Sequence, residues 1–185
     1  MNLLHPITTP RALIRVVNAS DAARVWRYRV ANREHLAPWE PLRDASYFTV
    51  EHCIHTLAEM HRAVQQDRSY AMVALDLAGE EILASFTLAN VMRGSFQACH
   101  LGYSVAAHWQ GLGLMREVLG AALPWAFHAL DLHRVMANYM PSNQRSGRLL
   151  EHLGFEREGY AKQYLQIAGR WEDHILTARL RTESA

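Results

Sequence analysis

Two turns that each follow a predicted strand carry the residue types best suited to bind a ligand. The first spans residues 110–115, where Gly111 and Gly113 stand between a β-rich run and a helical pattern. Glycines lack a Cβ atom and let backbone N–H groups converge, and a helix start adds free N–H groups of its own. The pattern therefore favours a pyrophosphate-binding loop, with plain turn glycines as the alternative. It matches neither GxGxxG nor the Gly-Lys-Ser/Thr of a P-loop.

The second turn follows a strand predicted over residues 134–139. A short helix then begins, and it carries Asn143 and Ser146 three residues apart on one face. Capping of that helix by Ser142 or Asn143 is the alternative explanation of these polar residues. Two successive strands that both end in such turns make a cleft at their carboxyl ends, the usual ligand position in an open α/β sheet.

The predicted strands and helices would form a mixed sheet flanked by helices, with the turns at residues 110–115 and after residue 139 at the same edge of the sheet. The pattern predicts strands over residues 13–17, 70–77, 82–91, 97–105, 134–139, 156–167 and 171–180. It predicts helices that end near residue 33 and that cover residues 50–66, 113–129 and 143–153. This order of elements indicates an α/β (mixed α+β) fold.

Length and composition narrow the classes of protein. The 185 residues, half of them hydrophobic, predict one domain over residues 1–185 with its core at about 10–180. A formal charge of +1 does not favour direct nucleic-acid binding. Without an export signal or a long apolar run, and with only Cys53 and Cys99 as cysteines, we expect a cytoplasmic protein without a membrane anchor. His52, Cys53 and His55 lack a second ligand pair, so no metal is expected.

Both turns resemble motifs of one enzyme family. Gln110-Gly111-Leu112-Gly113-Leu114-Met115 is similar to the acetyl-CoA signature Gln/Arg-x-x-Gly-x-Gly/Ala of the GCN5-related N-acetyltransferases (GNAT). Met115 departs from it, because Gly or Ala is usual at that position. Asn143 to Phe155 resembles the family's second motif, Asn-x-x-Ser…Leu-Gly-Phe. Residues 32–41, 93–96, 101–104, 136–141 and 154–162 resemble its RimJ/RimL branch, the ribosomal-protein-alanine N-acetyltransferases, so the likeness covers about residues 10–180.

The resemblance implies a fold, a reaction and a cofactor. The fold is a single, mostly antiparallel mixed sheet, split between its fourth and fifth strands. The reaction is direct acetyl transfer from acetyl-CoA to the N-terminal α-amine of a protein, such as an S5-like ribosomal protein that begins with alanine, by a monomer or homodimer. Alternatives are a small-molecule amine as acceptor (amino acid, polyamine or antibiotic) and a non-catalytic CoA-binding regulatory module. The cofactor residues it implies are Tyr103, Ser104, Val105, Gln110, Gly111, Leu112, Gly113, Leu114, Met115, Asn138, Asn143 and Ser146.

The candidate base is His100, which stands where many family members carry Glu in the sequence Glu-Ile-Gly-Tyr. Strand alternation puts His100, Gly102 and Ser104 on one face. A histidine hydrogen-bonded to a neighbouring strand or loop is the alternative. Glu40 is the second candidate: on a proline-stiffened loop it could wall the acceptor site or attract the amine cation, or it could be a surface acid.

Ser146 is the candidate proton donor to the departing thiolate. Tyr139 is the reserve, although a core-packed tyrosine is the simpler explanation of that residue. Arg145 and Arg148 could meet CoA phosphates or could simply be solvated. Three further aromatic residues, which sheet packing would explain, could partly line an acceptor groove: Tyr160, Tyr164 and Trp171.

Overall fold

Eight strands form one sheet in a computed structural model that describes residues 5–182. The strands are β1 (Ile7–Thr8), β2 (Leu13–Val16), β3 (Tyr70–Leu75), β4 (Ile82–Met92), β5 (Ala98–Val105), β6 (Arg134–Tyr139), β7 (Glu156–Ile167) and β8 (Arg170–Leu180). The helices are α1 (Ala22–Ala31), α2 (Arg33–Leu36), α3 (Val50–Gln65), α4 (Leu114–Ala129) and α5 (Gln144–His152). The strand order is β1-β2-β3-β4-β5-β6-β8-β7.

Only one pair of neighbouring strands in this sheet is parallel. β5 and β6 pair at three positions, the last of which joins His100 to Met136. Beyond His100, β5 stays bonded to β4, while β6 stays bonded to β8. The sheet therefore splits between these two strands, which are the fourth and fifth of the seven expected from the sequence. The fold class is confirmed, and β1 is the strand that the sequence pattern did not reveal.

Helices cover both faces of the sheet. α4 packs on one face through an apolar stripe that includes the fully buried Leu114, Val118 and Leu119. α1 and α3 cover the other face, where Tyr28 and Leu57 join the buried residues of β3. Each such buried side chain contributes about 1.5–3 kcal/mol of hydrophobic stabilisation, so both layers hold the split sheet in place.

A buried ion pair fixes the entry into α1. The carboxylate of Asp21 is 0% exposed and accepts hydrogen bonds from both terminal nitrogens of Arg15, each at 2.7 Å. It also accepts the backbone N–H of Asn18 at 2.9 Å, which completes a capping box. β2 and α1 are therefore joined by one carboxylate.

Within residues 5–182, no helix has the length and apolar character needed to cross a bilayer. Over the same range, no group of three or more His, Cys, Asp or Glu residues could hold a metal ion.

Candidate active site

A cavity of about 680 Å³ lies at the split in the sheet. Part of its lining comes from β5, β6 and the start of α5, and part from the segment between α1 and α3. The rest comes from α1, α3, β3, β4 and the β7–β8 hairpin. Seven candidate site residues from the sequence line this cavity: Glu40, Tyr103, Ser104, Asn138, Tyr139, Asn143 and Ser146. His100, Val105 and residues 110–115 do not.

The glycine loop has the backbone geometry that its sequence predicts. Gly111 and Gly113 have φ angles of +79° and +75°, in the left-handed region that glycine adopts without strain. α4 begins directly after Gly113, and no side chain caps its first N–H groups. Met115 packs its side chain in the core, so its departure from the signature leaves the loop backbone free. Unpaired amides at a helix start are the donors that bind a pyrophosphate.

Two residues that the sequence pattern did not single out hold this loop. Asn32, which is buried at the end of α1, accepts the backbone N–H of Ala107 at 2.8 Å through its side-chain oxygen. Arg11 donates to the carbonyl oxygen of Leu112 at 2.9 Å and to the carboxylate of Glu117 at 2.7 Å. Both contacts join segments far apart in sequence, and no local motif signals them.

We expect Gly113→Ala to raise the dissociation constant for CoA about 10-fold, as measured by calorimetry. A side chain in the left-handed region costs about 1–2 kcal/mol, and the loop would relax away from its binding geometry. The control is Gly120→Ala, the same change within α4, where a Cβ atom meets open space. That variant should bind CoA normally; equal loss in both variants would contradict the role of the loop.

Tyr103 and Ser146 form a hydrogen-bonded hydroxyl pair across the split. The phenol oxygen of Tyr103 on β5 lies 2.6 Å from Oγ of Ser146 on α5. Burial raises the pKa of Tyr103 to about 12, so the phenol stays protonated near neutral pH. The pair is thus a source of O–H donors inside the cavity.

Asn143 and Tyr139 behave as their simpler explanations predict, although both also line the cavity. Asn143 caps α5 by accepting the backbone N–H of Ser146 at 3.1 Å. Tyr139 packs against α5, where a Cβ atom on Gly147 would lie 2.7 Å from its ring. Arg145 donates to the side-chain oxygen of Gln110, which brings the glycine loop beside α5. Arg148 borders a separate cavity of about 510 Å³.

His100 lies at the last paired position of β5 and β6, outside the cavity lining. Its Nδ1 atom is buried and has no hydrogen-bond partner within the described part of the chain. Burial lowers its pKa below the ordinary value. Ser104, two strand repeats further on, does line the cavity and lies 2.9 Å from the hydroxyl of Tyr28.

A histidine that the sequence analysis missed does line the cavity. His174 on β8 is 3% exposed, and its Nδ1 atom lies 3.0 Å from the carbonyl oxygen of Glu172. Because a carbonyl only accepts, Nδ1 donates in this contact, and in the neutral ring the lone pair is on Nε2. The ring lies 5.5 Å from that of Tyr164, whose hydroxyl accepts from Asn138 at 3.3 Å. The alternation of inward and outward side chains along β8 marks His174 only as a buried position, so the sequence gives no sign of a functional role.

The β7–β8 turn covers the loop that carries Glu40. The backbone N–H of Ala168 donates to the carbonyl oxygen of Glu40 at 2.9 Å. A Cβ atom on Gly169 would lie 2.8 Å from Leu42, so the two segments touch. Of the hairpin aromatics, Trp171 and Tyr160 are exposed, and Tyr164 lies beside His174. Glu40 therefore lies in the part of the cavity that the hairpin tip borders.

Comparison with known proteins gives consistent results. Residues 11–156 match the model of the acetyltransferase (GNAT) domain. The chain is 46% identical over 172 residues to the [ribosomal protein uS5]-alanine N-acetyltransferase of Escherichia coli, covering 93% of this chain and 89% of that protein. The solved ribosomal-protein-S5-alanine acetyltransferase of Vibrio fischeri is 37% identical, with a TM-score of 0.92 and coverage of 96% and 97%. Mycobacterium smegmatis RimJ in complex with CoA-disulfide is 32% identical, with a TM-score of 0.86 and coverage of 96% and 90%.

Proposed function

Because the chain belongs to the GNAT family of acetyltransferases and is an acetyl-CoA-dependent N-acetyltransferase, we propose that its acceptor is the N-terminal α-amine of a ribosomal protein that begins with alanine. The observation that carries this proposal is one cavity, at the split in the sheet, that brings the Tyr103–Ser146 pair together with Glu40 and His174. The relatives from Escherichia coli and Vibrio fischeri are named as acetyltransferases of the alanine of ribosomal protein S5. We propose that the reaction takes place in the cytoplasm, where ribosomal proteins are made.

The cofactor would lie along β5 and the start of α4. On the side that faces β6, residues 101–105 of β5 have no strand partner, so their backbone groups are available to pair with the amides of the pantetheine arm. The uncapped N–H groups at the start of α4 fit the pyrophosphate. When bound, acetyl-CoA supplies an activated acetyl thioester. Asn138 and Asn143 border the same cavity and would contact the arm.

We assign the proton-accepting role to His174 in preference to His100. An α-amine has an ordinary pKa of about 7.7–8.0, so an imidazole is a sufficient base for it, whereas a lysine amine near 10.4 would require a stronger one. Because Nδ1 of His174 donates to Glu172, Nε2 is the nitrogen that can accept a proton when the ring is neutral. Glu40, which lines the same cavity, would attract the protonated amine as it enters.

The Tyr103–Ser146 pair would protonate the departing thiolate. Ser146 is the proposed donor, Tyr103 replaces its proton through their 2.6 Å contact, and solvent then returns a proton to Tyr103 before the next turnover. Since the pKa of Tyr103 is about 12, the pair keeps both protons at neutral pH. A backbone N–H of β5 near Tyr103 or Ser104 would stabilise the negative charge that develops on the carbonyl oxygen.

Two peptides test the choice of acceptor. We expect the purified protein with acetyl-CoA to release CoA thiol with a peptide that has a free N-terminal alanine. We expect no release above background with a blocked peptide that carries an internal lysine, because its amine is about 2.5 pKa units more basic. Equal release from both peptides would overturn the α-amine proposal. Turnover with spermidine or free alanine alone would favour a small-molecule acceptor, and CoA binding without any turnover would favour a regulatory module.

A further inference from the structure

Three arginines line the cavity on the side formed by α1 and the segment between α1 and α3, where we expect the acceptor: Arg29, Arg33 and Arg43. Arg29 and Arg43 lie on the ring of Tyr47, with their Cζ atoms 4.1 and 4.4 Å from its centroid. The guanidinium of Arg33 lies 4.5 Å from the ring centroid of Phe48. Stacking on aromatic rings holds the guanidinium planes in place, with their N–H groups at the edges, where they can donate hydrogen bonds.

Arg29 is a buried cation without a matching anion. It is 9% exposed, and its hydrogen bonds go to the carbonyl oxygen of Tyr47 at 3.3 Å and to the sulfur of Cys53 at 3.5 Å. Within residues 5–182, no carboxylate oxygen lies within 4.0 Å of Arg29 or Arg33. A charge removed from water is costly unless it is paired, so this site favours an incoming anion.

A single carboxylate, that of Glu40, shares this part of the lining with the three cations, and it lies 3.7 Å from Arg43. Burial raises the pKa of Tyr47, so its phenol stays neutral and cannot balance them. This part of the cavity therefore has an excess of positive charge beside one negative group. It complements a chain start that carries a positive α-amine and, a short distance along, a negative side chain.

We propose that Arg29, Arg33 and Arg43 form a carboxylate subsite that selects acceptor proteins with Asp or Glu in their first few residues. The inference rests on the proposed function and specifies its substrate class. An extended chain advances about 3.3–3.6 Å per residue, so a cavity of about 680 Å³ admits only the first few positions. A planar guanidinium binds a carboxylate through two parallel hydrogen bonds, which gives the subsite its geometry. Polycationic acceptors such as polyamines would be repelled.

Peptide series test this subsite. The peptides begin with alanine and carry a single Glu at position two, three, four or five. For each position, matched peptides carry Gln or Lys in its place. We expect kcat/KM to be about 10-fold higher with Glu than with Gln at the best position, and lower again with Lys.

Variants of the arginines then assign the preference. Arg33→Gln combined with Arg43→Gln alters two exposed side chains and should reduce the Glu-to-Gln ratio to about 2-fold. Arg29→Met should do the same, with its folding checked by thermal unfolding. Arg33→Glu should favour the Lys peptide. The matched control is Arg27→Gln, an exposed arginine of α1 outside the cavity, which should keep the full ratio.

The outcomes separate this inference from the proposed function. Equal kcat/KM for the Glu, Gln and Lys peptides would overturn the subsite and leave the α-amine acceptor intact. A raised KM for acetyl-CoA in the arginine variants, with an unchanged peptide preference, would overturn it too, because the arginines would then serve the cofactor. Absence of turnover with every peptide would overturn the proposed function and the subsite with it.

Discussion

We expect His174→Gln to lower kcat about 10²-fold with a peptide acceptor while leaving the KM for acetyl-CoA unchanged. A positioned general base contributes about 10²–10⁴-fold, and an amine that is already partly neutral needs the lower end of that range. Glutamine can still donate to the carbonyl oxygen of Glu172 but has no basic nitrogen. The chemical step is measured by single-turnover release of CoA thiol.

His100→Gln is the matched control for this prediction. His100 is also partly buried and lies on a strand at the split, but it does not line the cavity. We expect kcat of this variant to stay within about 3-fold of wild type, because the side chain lies outside the cavity lining. A 10²-fold loss in His100→Gln with a normal His174→Gln would return the proton-accepting role to His100. Normal rates in both would leave it to water.

We expect Asp21→Ala to lower the free energy of unfolding by about 3 kcal/mol. The substitution leaves Arg15 without its anion and the backbone N–H of Asn18 without its acceptor. Loss of one member of a buried pair costs about 3–5 kcal/mol; Arg15 is 20% exposed and partly solvated, which places the effect at the lower end. Urea unfolding followed by circular dichroism measures it.

An exposed ion pair provides the control for that measurement. Asp131 is 74% exposed and bonds Arg181 at 2.6 Å. Such pairs contribute about 0–1 kcal/mol, so Asp131→Ala should change the unfolding midpoint little. Equal losses in Asp131→Ala and Asp21→Ala would contradict the structural role of the buried pair.

The same carboxylate makes stability depend on acid pH. Burial raises the pKa of Asp21, but hydrogen bonds from Arg15 and Asn18 and the charges of Arg15 and Arg24 lower it by more, so it lies below the ordinary 3.8. The folded state then binds fewer protons than the unfolded chain. This contribution is complete above pH 3.8 and is lost as pH falls through the lower pKa of the folded state. Asp21→Asn should lack this part of the acid dependence.

The local sequence determined the helices, the strands and the glycine loop at residues 110–115. Gly111 and Gly113 stand where the backbone turns into the left-handed region, a conformation that only glycine adopts cheaply, so the loop could be predicted from residue type. The seven expected strands were found because apolar runs and turn residues act over a few positions. The helix expected to end near residue 33 instead breaks at Asn32, whose side chain binds the backbone of Ala107.

Only the tertiary structure decided which side chains border the cavity. Strand alternation assigns His100 and Ser104 to one face of β5. The cavity opens where β5 and β6 stop pairing, and His100 is the last paired residue. Ser104 therefore lines the cavity and His100 does not. His174 and Arg29 are about 145 residues apart in the sequence, yet both line the same cavity. Contacts at such separations leave no periodic trace in a sequence, because the packing of whole elements brings them together.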